Sequence, residues 1–543
     1  MVYLTFPRLR RVGVALLTAA FAFSGVFASG GVVGRPEGEV RDHLWVLWGV
    51  SRSVAAGESP LLATWAGTPG GVPLYPLDPL NHALFALLTP LLGPVAALNV
   101  LAFLLYTLLV YGGQKLAARS GAGVVAELLT GLLAATAPAF LGPFADSQTE
   151  GMAAGWLLML LSELFGQQPR PLRASLWGAA LLASAPYPAH AVAVVVAVVW
   201  LLRRLPMAAA LPALIAGVAA AALLYTTETE LGGALHARQA HLAQASAPPR
   251  SSPLGVAAPP PLPDDGVVRH AAPYPGAAET GPRREAGWML GGIVLVALAW
   301  RPSRAPAVLA LGYAAVAAGN RLGGSGLPTD FLTPYELFWR YYPLARYAWK
   351  PAQYVVPAVA LALVAFALAW RAAGGRGRLV LGGLAVAALA ETSLRSSTPL
   401  PLPASTLHPR AAWVALAENP DVGAVIEYPC RDRGVPGRPP VADVLLGPLW
   451  HGRALGETPN RGTSGPHRSL LDGLEAAASG RPSDLSRALR EARAAGFGHL
   501  LLLGAQLPAD AVARLSTALA EAGATPSPVD PEGTLHVALP TAP

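Results

Sequence analysis

The sequence predicts an α-helical polytopic membrane bundle of about eleven spans, followed by a small C-terminal α/β domain. Three observations carry this. Of 543 residues, 53% are hydrophobic and 13% charged, with a mean hydropathy of +0.43. A soluble chain carries about 25% charged residues. Apolar runs near span length recur between Val12 and Ser393, while beyond them short apolar runs alternate with helical patterns. Finally, every second connection is basic, as the positive-inside rule requires.

The formal charge of +7 does not call for nucleic acid. Arginines clustered at span ends account for it, and no nucleic-acid partner is expected. A single cysteine, Cys430, excludes an intramolecular disulfide and a cysteine-based metal site.

Arg8, Arg10 and Arg11 precede an apolar run from Val12 to Val33. That is long for the apolar core of a signal peptide and right for an uncleaved first span with its N-terminus inside. The outer loop 35–92 follows. Within it Val40–Ala56 places Leu44, Leu47, Trp48 and Val54 along one face, as an amphipathic helix in the interface would, with Trp45 and Trp48 at headgroup level. Gly57 ends it. A Gly/Pro loop leads to Leu80–Leu92, too short to span.

Further spans are expected at 94–113, 122–141, 150–165, 174–185, 188–202, 207–226, 287–300, 305–319, 351–370 and 379–393. The inside connections then carry Lys115 and Arg119, Arg170 and Arg173, Arg203 and Arg204, Arg301 and Arg304, and Arg371, Arg376 and Arg378. Outer loops fall at 227–286 and 320–350, and the tail is extracytoplasmic. Domains are therefore expected at 1–393 and 394–543. In the tail GAVIEYP, HLLLLG and TLHVALP read as strands, Ser483 as a helix cap and Pro508 as a helix start.

Three stretches resemble a known family. DHLWVLWGV after the first span precedes a Gly/Pro loop and PLDPLNHALFALLTPLLGPVAALNV. Next, NRLGG and LPTDFLTPYELFWRYYPLARYAWKPAQYV precede a late span. The tail adds ENPDVGAVIEYP, LWHGRALGETPNRGTS and GFGHLLLL. Together they resemble the GT-C superfamily of integral-membrane glycosyltransferases. The resemblance implies transfer of a sugar from a polyprenyl-phosphate donor at the outer face of a bacterial inner membrane, to a glycan, lipid or protein acceptor. It also implies that the acid of the first outer loop, here Asp42, acts as catalytic base or metal ligand. A paired acid at that point, common in the superfamily, is replaced here by Glu37, Glu39, Asp42 and His43.

The residues offer the following chemistry. A carboxylate such as Asp42 at a partly desolvated interface suits proton removal from an acceptor hydroxyl. It equally suits a solvated charge beside Arg41 at a helix start. Asp146 and Glu150 of the second outer loop, with His43, are candidates for a second acid or a metal site for Mg or Mn. Asp146 also suits a helix cap. Arg340, Arg346 and Lys350 lie among Tyr341, Tyr342, Tyr347 and Trp349 on the outer side, against the usual bias. Clamping the donor phosphate would explain them; so would headgroup contact. Asp78 reads as a turn residue in Pro-Leu-Asp-Pro, and His43 and His82 lack the i, i+4 spacing of a helical metal pair. Trp450, His451 and Arg453, with Asn460 and Arg461, suit acceptor-glycan contact or an ordinary loop. The alternative to an enzyme is a carrier or scaffold for lipid-linked glycans or envelope polymers.

Overall fold

The computed structural model describes residues 6–35, 40–60, 62–63, 72–73, 78–219, 288–317, 354–395, 398, 400–407, 410–418, 423–429, 447–451, 453, 465–481, 484–504, 507–528 and 533–539. Two compact units divide the chain: Met1–Val40 with Leu77–Thr406, and Arg41–Pro76 with Leu407–Pro543. The stretch 41–76 thus clusters with the tail.

The first unit is a helical bundle. Its helices are α1 (Phe6–Ala22), α2 (Ser24–Ser29), α4 (Pro79–Ser120), α5 (Val124–Thr136), α6 (Pro138–Asp146), α7 (Ala154–Phe165), α8 (Pro171–Ser184), α9 (Pro186–Leu202), α10 (Trp288–Ala297), α11 (Arg301–Ala317), α12 (Val355–Ala372) and α13 (Gly375–Arg395). α3 (Val40–Ala55) lies between α2 and α4 in sequence. Among the described residues, three helices are long and apolar enough to cross a membrane: α4, α12 and α13. A fourth is obtained if α5 and α6, bent by 45° where Pro138 opens α6, form one span. Other apolar helices, such as Ala154–Phe165 and Val192–Leu202, are shorter.

The break expected ahead of residue 94 is at Gly93, whose φ of 75° and ψ of 165° interrupt α4. α12 is apolar all round, and every residue from Val355 to Trp370 is buried. It packs on α4, α5, α6, α7, α9, α10, α11 and α13. Small residues let the helices approach. A Cβ on Gly113 would lie 2.8 Å from the Thr130 carbonyl, and one on Gly155 would lie 2.8 Å from the Leu109 nitrogen. Close backbone packing of this kind replaces the hydrophobic drive that lipid removes.

Ion pairs gather at one end of the bundle. Glu163, fully buried near the end of α7, meets Lys115 Nζ at 2.7 Å and Arg119 at 3.4 Å, both at the end of α4. Glu127 at the start of α5 meets Arg10 at 2.5 Å and Arg11 at 3.3 Å. Arg203 donates to the Gly166 carbonyl. These are the ends that the sequence assigns to the basic side.

At the other end, β1 (Val32–Val33) pairs antiparallel with β4 (Ala404–Ser405). Asn99 fixes this edge by accepting from Val33 N and donating to the Gly31 carbonyl. Arg35 N donates to the Ala145 carbonyl at 2.7 Å, and Ser147 Oγ donates to the Val33 carbonyl. The segment after α2 is therefore stitched to the end of α6 and the turn that follows it.

In the second unit β2 (Leu62–Ala63) and β3 (Val72–Pro73) form a short hairpin. β5 (Ala424–Tyr428), β6 (Phe497–Leu503), β7 (Ser527–Pro528) and β8 (Thr534–Ala538) form a sheet in the order β5-β6-β8-β7. β5 and β6 are parallel, and β8 runs antiparallel to β6. β6 is buried along its whole length, which explains its unbroken apolar sequence. The tail helices are α14 (Ala411–Glu418), α15 (Gly447–His451), α16 (Gly465–Ala478), α17 (Leu485–Ala494) and α18 (Ala509–Glu521). Leu470, Leu474, Leu489, Leu515 and Leu519 cover Ile426, Leu500 and Leu502 of the sheet. Pro508 stands at the N-cap of α18. α17 is capped by Asp484, which accepts from Arg487 N, whereas Ser483 lies outside the described residues.

α3 departs from the interfacial helix expected of it. Val40, Leu44, Trp45, Leu47 and Val50 are buried within protein, and Val54 is exposed. Trp45, expected among headgroups, is 1% exposed, while Trp48 is half-buried under Arg52 at 5.3 Å. An amphipathic face satisfies itself against protein as well as against lipid. Gly57, at φ 72°, closes α3 as expected.

Candidate functional site

A polar cluster occupies the end of the bundle opposite the Glu163 pairs. It is built where α4 begins. Asp78 stands at the N-cap, yet its carboxylate makes no capping bond to the helix backbone. It turns instead to side chains. His82 Nδ1 lies 2.8 Å from Asp78 Oδ1, and Asn81 Nδ2 donates to Asp78 Oδ2 at 3.0 Å. Asn81 Nδ2 also donates to the carbonyls of Thr149, at 3.0 Å, and Ser184, at 3.4 Å. One amide thus ties α4 to the loop between α6 and α7 and to the last residue of α8. Exposure is 2% for Asp78, 5% for His82 and none for Asn81, Thr149 and Ser184.

Burial pushes the Asp78 carboxyl up. The charge of His82 and hydrogen bonds from His82, Thr149 and Asn81 outweigh it and hold Asp78 below the usual carboxylate range. His82 Nδ1 faces only acceptors, Asp78 Oδ1 and the Asp78 carbonyl at 3.1 Å, so it carries a proton. Among the described residues its Nε2 is buried without a hydrogen-bond partner, as are Asn81 Oδ1 and Ser184 Oγ.

The sequence alone does not point to this cluster. By sequence Asp78 reads as a turn residue and His82 as an isolated histidine. The available signal was the i, i+4 spacing of Asp78 and His82 across a helix start, a carboxylate–imidazole pairing rather than a histidine pair.

Asp146, the last residue of α6, is buried at 9% exposure, and Glu150 is half-buried in the loop that carries Thr149. Asp146 does not cap a following helix; Ser147, at φ 58°, terminates α6 in the left-handed conformation. Asp42 and His43 lie in the first turn of α3, in the unit that contains the tail. His43 is half-buried, and the Asp42 side chain is outside the described residues. Arg340, Arg346 and Lys350 also lie outside them, as do the loops 227–286 and 320–350. Among the described residues no three His, Cys, Asp or Glu side chains converge as a metal site would require.

The tail residues suited to glycan contact are built into their own domain. Trp450 stacks on Trp413, centroids 5.3 Å apart, and Trp413 Nε1 donates to Glu427 at 2.8 Å. Arg453 donates to the Leu416 carbonyl and to His499 Nε2, and its backbone N–H donates to His451 Nδ1. His451 is 5% exposed, and its pKa is lowered to about 3 by burial and then by Arg453, His499 and Arg52. Asn460 and Arg461 lie outside the described residues.

No protein-family profile matches the sequence, and no curated protein is detectably similar to it. Solved structures are. The cryo-EM structure of arabinofuranosyltransferase AftD from Mycobacteria superposes with a TM-score of 0.57 at 16% identity, covering 98% of this chain. The fold is GT-C-like. The chain spans 40% of the length of AftD. Two further matches are weaker. The oligosaccharyltransferase AglB from Archaeoglobus fulgidus has a TM-score of 0.48 at 13% identity, over 99% of this chain and 74% of its own. ArnT from Cupriavidus metallidurans has a TM-score of 0.42 at 14% identity, over 98% of each chain. A GT-C-like fold with apolar helices of spanning length makes this a membrane protein.

Proposed function

We propose that the chain is a membrane glycosyltransferase. It moves a sugar from a polyprenyl-phosphate donor to a glycan, lipid or protein acceptor at the extracytoplasmic face of a bacterial inner membrane. The observation that carries this reading is the GT-C-like fold matched over 98% of the chain. The concentration of buried acids around the start of α4 and the second outer loop supports it.

In the proposed reaction Asp42 takes the proton of the acceptor hydroxyl. The acceptor oxygen bonds to the anomeric carbon as the bond from that carbon to the phosphate oxygen breaks. The electron pair leaves with the polyprenyl phosphate, whose charge Arg340, Arg346 and Lys350 would hold. Asp146 and Glu150 are the reserve acids, with His43 beside Asp42.

The test uses the full chain in lipid with a panel of radiolabelled polyprenyl-phosphate sugars. We expect transfer from at least one donor, reduced at least ~100-fold in Asp42→Asn with donor binding retained, the scale of a lost general base. Equal turnover in both would remove Asp42 as base. A wild-type chain that binds none of the donors would favour the carrier or scaffold role.

A further inference from the structure

The end of the bundle where α4 stops carries more positive charge than its acids offset. Lys115 and Arg119 share the single carboxylate of Glu163. The chain brings further cations to the same place. Arg170 N donates to the Glu163 carbonyl at 3.3 Å, which seats the start of α8 against the end of α7. Arg203 donates to the Gly166 carbonyl at 3.1 Å, and a Cβ on Gly166 would lie 3.2 Å from Arg119 Nε. Arg173 is near enough to repel both Lys115 and Arg119, and Arg170 repels Arg119. The first turn of α8 holds no acid. Five cations thus stand around one acid among the described residues. Like charges held together in this way favour an anion beside them.

These cations are open to the outside. Arg170, Arg173 and Arg203 are exposed, and Lys115 and Arg119 keep 15% and 17% of their side-chain surface. The side chains of Arg170 and Arg173 make no hydrogen bond or ion pair among the described residues. Apolar surface adjoins them. On the same helix Leu172 is 56% exposed and Leu176 50%, and the half-buried Trp177, which Lys115 overlies at 5.2 Å, stacks on Trp156. Fixed positive charge beside exposed apolar side chains, in a membrane protein, matches a molecule with an anionic head and hydrocarbon tails. An acidic soluble protein would leave the apolar half unused. We propose that Arg170 and Arg173, with Arg119 and Lys115 behind them, bind the phosphodiester headgroup of an anionic diacyl lipid whose chains lie along Leu172 and Leu176. Guanidinium groups suit that headgroup because they donate two parallel bonds to phosphate oxygens. The assignment does not depend on the glycosyl-transfer reading.

The test uses the full chain in mixed micelles that hold phosphatidylglycerol and phosphatidylcholine with identical acyl chains. Bound lipids are counted by native mass spectrometry. We expect wild type to retain phosphatidylglycerol in preference to phosphatidylcholine. Arg170→Ala with Arg173→Ala should lower that preference at least about tenfold, the scale of one charged hydrogen bond. Arg301→Ala with Arg376→Ala removes the same charge from exposed arginines at the starts of α11 and α13, and should leave the preference unchanged. Inorganic phosphate at millimolar concentration should not displace the lipid. The same preference in the two double variants, whether kept or lost, would deny α8 a site of its own and overturn the proposal. Displacement by inorganic phosphate would assign the cluster to a soluble anion and overturn the lipid as occupant. A wild type indifferent to headgroup charge would overturn it outright.

Discussion

His451 is a histidine kept neutral by its surroundings. Its folded pKa of about 3 lies far below the ordinary 6.5, because burial and the nearby Arg453, His499 and Arg52 all oppose a second proton. The sign of the linkage follows. Below pH 6.5 the unfolded chain takes up a proton that the folded chain refuses, so stability falls as pH drops from 6.5 towards 3 and is unaffected above. The slope is about 1.4 kcal/mol per pH unit at most. Thermal unfolding of the full chain in detergent at pH 7, 6, 5 and 4 checks this. We expect His451→Gln to flatten the decline, and a variant as acid-sensitive as wild type would assign the decline to other groups. At this scale the sequence was least legible. It offered Trp450, His451 and Arg453 to a glycan, and the fold spends them on Trp413, Leu416 and His499. A polar side chain states what bonds it can make but not which partner arrives, since partners such as Asp78 and Thr149 meet only after distant segments pack.

Among the elements, α4 and α7 are joined by a buried charge whose partners were readable only as loop-end basics. Glu163 is fully buried between Lys115 and Arg119, and Lys115 also lies 5.2 Å over the Trp177 ring, which stacks on Trp156. Removing one partner of such a group strands the others. Glu163→Ala should destabilise the bundle by about 3–5 kcal/mol. Glu163→Leu combined with Lys115→Met should recover a large part of that loss, since apolar replacement of a buried pair is often neutral. Chemical denaturation of the two variants in mixed micelles tests this. Equal losses in both would mean that shape rather than charge is what matters there. Helix positions themselves were legible because apolar runs and Pro or Gly breaks are local signals. Gly93 and the bend before Pro138 fall where such residues stand. Helix ends differ from the expected span ends by several residues, as at α4, which runs on to Ser120.

For the whole molecule, the division into units is what the sequence concealed. A hydrophobic stripe on a helix does not say whether lipid or protein will cover it, so α3 read as an interfacial helix. In the fold, residues 41–76 cluster with Leu407–Pro543. The charge of Arg52 reaches His451 from α3, which places the helix beside the tail's own buried polar groups. Leu44, Trp45, Leu47 and Val50 are each nearly inaccessible, and burying such side chains contributes about 1.5–3 kcal/mol apiece. Removal of Leu407–Pro543 should therefore release α3 while the bundle of α4–α13 persists. Hydrogen exchange by mass spectrometry on full and truncated chains in nanodiscs would read it. Amides of 44–55 should lose at least about a hundredfold in protection, equivalent to ~2.7 kcal/mol of local stability, with those of α12 unchanged. Persistent protection of α3 in the truncated chain would mean that lipid covers its apolar face as well as the tail does. The proposed base Asp42 would then be positioned without the tail, and truncation should leave sugar transfer intact. Loss of protection together with loss of transfer would instead make the tail the element that holds Asp42 in place.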